Sequence, residues 1–134
     1  MKEILRAFPR VMGIVNINDD SFSGDGTLDV GRALARALEM VRHGADIIDV
    51  GAESARTNRD AIRPAEEIAR LLPFIDGFQT VCAEAGPRDR FQIWPPLLSV
   101  NTWRPEVVEA VLKTGRVDII NDIGFTPESR VPDP

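Results

Sequence analysis

Cysteine and histidine occur once each in this 134-residue chain. Cys82 alone rules out an internal disulfide, and Cys82 with His43 is too few to build a zinc site from cysteine and histidine. Any bound metal would therefore be held by oxygen. No apolar run reaches the length of a membrane span, and the opening stretch MKEILRAFPR lacks the unbroken apolar core of a signal peptide. A cytoplasmic location with no membrane partner is the expectation. Clustered basic charge is also missing. The 16 Lys and Arg are scattered over a chain of net charge −5, which leaves no electrostatic footprint for nucleic acid. There is no GxGxxG fingerprint and no P-loop, so a dinucleotide or a cradled nucleoside triphosphate is disfavoured. Low-complexity tracts are absent too. What remains is 43% hydrophobic with mixed charges. Such a chain folds, and at this length it forms one domain over residues 1–134.

Short apolar runs alternate with amphipathic segments. Strands are expected at 11–15 (VMGIV), 46–50 (DIIDV), 97–100 (LLSV) and 117–121 (VDIIN), none with the strict alternation of a sheet wet on one face. Three helices lie between them. The first runs from Asp29, a plausible N-cap, to His43, with Val30, Leu34, Leu38 and Val41 as its apolar stripe and Gly44 as its stop. The second starts at Pro64 and buries Ile68, Leu71, Leu72, Ile75, Phe78 and Val81 before Gly86, with a kink expected at Pro73. The third starts at Pro105, turns Val107, Val108, Val111 and Leu112 inward, and closes at Gly115. Residues 86–96, GPRDRFQIWPP, read as a surface loop.

This β-α-β-α-β-α-β series predicts a parallel sheet with right-handed crossovers, in which function collects at the carboxyl ends of the strands. All four ends turn polar: Asn16, then Glu53 and Ser54, then Asn101 and Thr102, then Asn121 and Asp122. The first does so abruptly, in GIVNINDDSFSGDG (13–26). Any one polar end is explained by turn chemistry. Four that converge form a ring of amides, hydroxyls and carboxylates suited to a flat polar heterocycle, with room for a hydrated divalent cation.

The ordered set VMGIVNINDDSFSGDG, GADIIDVGAESAR, LLSVNTWRPEVVEAVLKTG and VDIINDIG resembles the first half of dihydropteroate synthase, a pterin-binding TIM-barrel family. The resemblance implies an α/β fold of (β/α)8 type, of which about the first four strands and three helices are present as an N-terminal half-barrel. It implies a transferase of folate biosynthesis that joins 6-hydroxymethyl-7,8-dihydropterin pyrophosphate to 4-aminobenzoate with Mg²⁺ assistance. By the same resemblance Asn16 stands at the pyrophosphate and magnesium end, and Asp20, Ser21 and Phe22 belong to the first loop. Arg56 is the second-loop arginine, and Asn121 bonds the pterin edge. An amide offers donor and acceptor to such a ring, and a guanidinium suits phosphate oxygens. The sequence also departs from the family. Ala55 replaces a hydroxyl residue, and Asn101 replaces an aspartate that lies against the pterin. Groups that the family draws from later strands have no counterpart. The segment alone is expected to be inactive, and to need a second half-barrel or self-association to cover its open edges. Two alternatives stay open: the pterin-binding domain of a methyltetrahydrofolate-corrinoid methyltransferase, and a non-catalytic pterin-binding or assembly module.

The remaining polar and aromatic residues have plainer readings. Cys82 is expected to be a small buried side chain, and His43 to serve the C-terminus of the first helix. Trp94 reads as a loop anchor, whereas Trp103 follows the third strand closely enough to touch a ligand. Asp49 and Glu53 are either a carboxylate pair or structural hydrogen-bond acceptors, and no general base is assigned.

Overall fold

The computed structural model describes residues 9–19, 26–52 and 62–122. Each apolar run becomes a strand and each amphipathic segment a helix, in the order β1 (Met12–Asn16), α1 (Val30–Arg42), β2 (Ile47–Gly51), α2 (Pro64–Ala85), β3 (Leu97–Asn101), α3 (Pro105–Leu112) and β4 (Ile119–Asn121). The strands form one four-stranded sheet in the order β1-β2-β3-β4, every pair parallel. β1 and β4 are its edges. The first three strands extend one residue beyond their apolar runs, because the ladder pairs Asn16 with Gly51 and Gly51 with Asn101 whatever their side chains. The fourth starts later than expected, at Ile119.

One face of the sheet carries the core. Val15, Ile48, Val50, Leu98 and Val100 are buried there with Ala33, Ala37 and Val41 of α1, Leu71, Phe74, Ile75 and Phe78 of α2, and Val107 and Val111 of α3. Two sequence expectations are corrected here. The centre of the α1 stripe is Ala33–Ala37–Val41 rather than the leucines, since alanines let the helix sit close while Leu34 and Leu38 lie one residue, about 100°, to the side. Leu34 instead fills the notch at Gly77 of α2, where an added Cβ would come within 2.7 Å of its Cδ1. Leu112 is 50% exposed, not inward. Val107 and Val111 define the inner line of α3, and the next residue round the turn falls to the flank. Asp29 does cap α1, accepting from Arg32 N–H at 3.2 Å. α2 continues across Pro73 as one helix.

The amino ends of the strands are held by side chains. Asp46, just before β2, accepts from Val11 N–H at 2.9 Å and from Ile93 N–H at 2.8 Å. Asp118, just before β4, accepts from Leu98 N–H at 2.9 Å. Within the 86–96 loop Gln92 is buried and donates to the carbonyls of Val41 and Ala45 at 2.9 and 2.8 Å. The loop is therefore surface chain on an internal peg, and the peg supplies the hydrogen bonds that buried carbonyls require.

Candidate functional site

Side chains alternate across a strand, so the residues facing away from the core form rows on the other side of the sheet. At the carboxyl end the row is Asn16, Gly51, Asn101 and Asn121, in register across all four strands. Three of the four polar strand ends thus reach one line on one face. All three asparagines are half-buried, and their side chains make no hydrogen bond among the described residues. Asn101 does not cap the third helix, since the N-cap of α3 is Arg104, without a side-chain capping bond. A row of amides with unmet donors and acceptors is suited to a planar ligand that offers both.

Beneath it lies a second row: Ile14, Asp49, Ser99 and Ile119. Asp49 is 2% exposed and accepts from Ser99 Oγ–H at 2.7 Å through Oδ1. Of the two readings left open for Asp49, the hydrogen-bonded one is realised at this oxygen. Glu53, Ser54 and Ala55 lie outside the described residues, as do the expected site residues Asp20, Ser21, Phe22 and Arg56.

The described residues that follow β2 and β3 are anchored by the first turns of α2. Arg70 donates to the Ala52 carbonyl at 3.0 Å, fixing the residue that leaves β2, and pairs with Glu66 at 2.7 Å. Glu67 meets Arg104 at 2.6 Å, and both are buried. Arg104 also stacks over the ring of Trp103, 4.6 Å from its centroid. This pins the turn that follows Asn101. The Glu67–Arg104 pair was not foreseen. Its one sequence signal was a carboxylate among apolar residues on the buried stripe of α2.

The two tryptophans separate. Trp103 stands at the carboxyl end, 38% exposed. Trp94 stands at the amino end, lining a cleft of about 390 Å³ with Phe78, Cys82, Pro95, Leu98 and Arg116. His43 is the C-cap of α1, its Nδ1 2.8 Å from the Glu39 carbonyl, as helix-end chemistry suggests. Burial pushes the Cys82 thiol up from 9.0 to about 11. Cys82 is therefore expected to resist a disulfide reagent at pH 8 until the chain unfolds. Between about pH 9 and 11 the unfolded thiol loses its proton while the folded one keeps it, so stability should fall as pH rises through that interval. Labelling as fast in native buffer as in urea would contradict this.

No group of three or more His, Cys, Asp or Glu fit to hold a metal occurs among the described residues. No helix among them is long and apolar enough to cross a membrane.

Known proteins share this sequence pattern and fold. A family model described as "Pterin binding enzyme" matches residues 12–132. The dihydropteroate synthase of Neisseria meningitidis serogroup C is 39% identical over 117 residues, covering 86% of this chain and 37% of that protein. The structure of Xanthomonas albilineans dihydropteroate synthase with 4-aminobenzoic acid aligns at TM-score 0.66 and 36% identity, over 90% of this chain and 41% of its own. That of Anaplasma phagocytophilum dihydropteroate synthase with bound 6-hydroxymethylpterin-monophosphate aligns at TM-score 0.64 and 30% identity, over 86% and 37%. The chain thus spans well under half the length of these relatives. Its parallel sheet and three helices correspond to part of their barrels. On the match over residues 12–132, with the strand-end row in place, the chain belongs to the pterin-binding enzyme family.

Proposed function

We propose that this chain is the first half of a dihydropteroate synthase, binding the pyrophosphate and one face of the pterin at the carboxyl ends of β1 to β4. The observation that carries the reading is the register row of Asn16, Asn101 and Asn121, whose amides meet no partner among the described residues. The resemblance of the strand-end motifs supports the same roles: Asn16 toward the pyrophosphate, Asn101 and Asn121 toward the ring, and Asp20, Ser21, Phe22 and Arg56 on the loops around the anionic groups. Relatives solved with 4-aminobenzoic acid and with a hydroxymethylpterin monophosphate favour these substrate classes.

Magnesium fits this donor set in a limited way. The Asn16 amide oxygen offers one hard ligand, and pyrophosphate oxygens and water would complete the shell, as this ion prefers. When bound, the ion would neutralise the leaving pyrophosphate. Asn16 would orient the anion, and Asn101 and Asn121 would hold the ring in its plane.

The face of β1 turned away from the core supports the same reading. Met12 and Ile14 of β1, on the face turned away from the core, are 46% and 55% exposed. A second half-barrel would cover them, and turnover would require it. A cytoplasmic location accords with this chemistry.

Calorimetry with 6-hydroxymethyl-7,8-dihydropterin pyrophosphate, with and without Mg²⁺, tests the reading. Metal-dependent binding is expected. Folate binding indifferent to metal would favour the methyltransferase alternative, and no binding of either ligand a non-catalytic module. Asn16→Ala should weaken binding by about 1–2 kcal/mol with an unchanged melting temperature. An equal loss of stability would make Asn16 a turn residue only.

A further inference from the structure

The cleft at the amino end of the sheet lies apart from the amide row. It encloses about 390 Å³, the scale of a small-molecule site, over a floor of Phe78 and Cys82 from α2 and Leu98 from β3, all buried. Leu98 belongs to the core face, whereas Asn101 lies on the other face and three residues, about 10 Å, further along the strand. A molecule in the cleft would not meet the row. Its walls come from α2 and from the segments ahead of β3 and β4, on the side of the sheet away from the face that a second half-barrel would cover.

The walls select what fits. Trp94 is 36% exposed there, and its side chain makes no hydrogen bond among the described residues. An open aromatic wall above an apolar floor suits a flat ring. Arg116 and Asp118 bring one charge of each sign, and they are engaged differently. Asp118 accepts from Leu98 N–H at 2.9 Å, which ties its carboxylate to the base of β3. The Arg116 guanidinium meets only Asp76 among the described residues, at 3.3 Å to its carbonyl and 3.4 Å to its carboxylate, both long for such bonds, and both side chains are exposed. The cation is therefore the charge open to a new partner. Cys82 adds no charge, because burial keeps its thiol protonated at neutral pH.

We propose that this cleft binds a small aromatic carboxylate, its ring against Trp94 over the Phe78 and Cys82 floor and its carboxylate on Arg116. A carboxylate can take two parallel N–H bonds from a guanidinium, a geometry that Asp76 does not supply here. A cationic ring would be repelled by Arg116, and a neutral one would leave it unused. The site is independent of the pterin reading.

Calorimetry of the purified chain with 2-naphthoate and with the neutral 2-naphthalenemethanol is the test. The acid is expected to bind about fivefold or more tightly than the alcohol. Arg116→Gln, at an exposed position, should erase that difference and keep the affinity for the alcohol. Ala83→Phe, at the exposed rim, should weaken both by about tenfold at the melting temperature of the parent. Excess 6-hydroxymethylpterin should leave naphthoate binding unchanged. Equal affinity for acid and alcohol, a preference that survives Arg116→Gln, parental affinity in Ala83→Phe, or displacement by the pterin overturns the proposal. Absence of naphthoate binding overturns it too, and a chain that then sediments as a dimer through this face would make the cleft an interface between copies.

Discussion

Glu67→Ala is expected to destabilise the chain by about 3–5 kcal/mol, a large share of the roughly 5–15 kcal/mol that holds a typical domain folded. Glu67 is 1% exposed and Arg104 6% exposed, with their nearest atoms 2.6 Å apart. Arg104 is also the N-cap of α3, where the partial positive charge of the helix end opposes a cation. Truncating Glu67 removes the buried carboxylate that faces this charge at 2.6 Å, and the stacked Trp103 ring carries no charge to replace it. The pair as a whole is a different quantity. Desolvating two ions offsets much of their attraction, so Glu67→Met combined with Arg104→Met should recover most of the loss. Urea unfolding of the single and double variants checks both statements. A single-variant loss below about 1 kcal/mol would mean that water reaches Arg104 and that the pair is effectively a surface one. The same experiment bears on the site, because Thr102, Trp103 and Arg104 directly follow Asn101. Tryptophan emission should shift with the loss, since the ring contact at 4.6 Å depends on where the guanidinium is held.

Strand identity, parallel order and the polar strand ends were legible because they depend on local composition and on the requirement that a parallel sheet be covered. Pro64 and Pro105 marked two helix starts, and Asp29 a third, because N-terminal chemistry is set by one or two residues. Burial on the helices was less legible. A stripe of leucines on α1 is the obvious apolar face, but which line points inward depends on how closely the helix approaches the sheet, and only the small side chains of Ala33 and Ala37 allow that approach. Phe74 was passed over although it is fully buried. The site shows the same division. Asn16, Asn101 and Asn121 were found as strand ends, yet their alignment in one row depends on register, which no single strand encodes. Glu67, Asp46 and Gln92 were invisible for a related reason. Each is a polar residue whose partner lies far along the chain, and sequence shows the charge without the partner.

Asp46→Ala should cost about 2–4 kcal/mol without touching the site. The Asp46 carboxylate is 4% exposed and gathers the bases of three strands. It accepts from Val11 N–H ahead of β1 and Ile93 N–H ahead of β3, while its own backbone stands ahead of β2. Arg10 adds a guanidinium at 3.6 Å. An alanine leaves both N–H groups without this acceptor and removes one carboxylate from beside Arg10. Asparagine keeps one acceptor oxygen but turns an N–H₂ toward a second donor, so it should fall between the parent and alanine. The amide row lies at the opposite end of the strands, and in barrels of this kind the amino end serves stability while the carboxyl end serves chemistry. At a temperature where the alanine variant is still folded, its affinity for 6-hydroxymethylpterin should therefore match the parent's. Asn16→Ala makes the contrasting case, with binding lost and stability kept. If Asp46→Ala instead weakens pterin binding in proportion to its loss of stability, the two ends of the sheet are coupled, and residues at either end would have to be read as parts of one site.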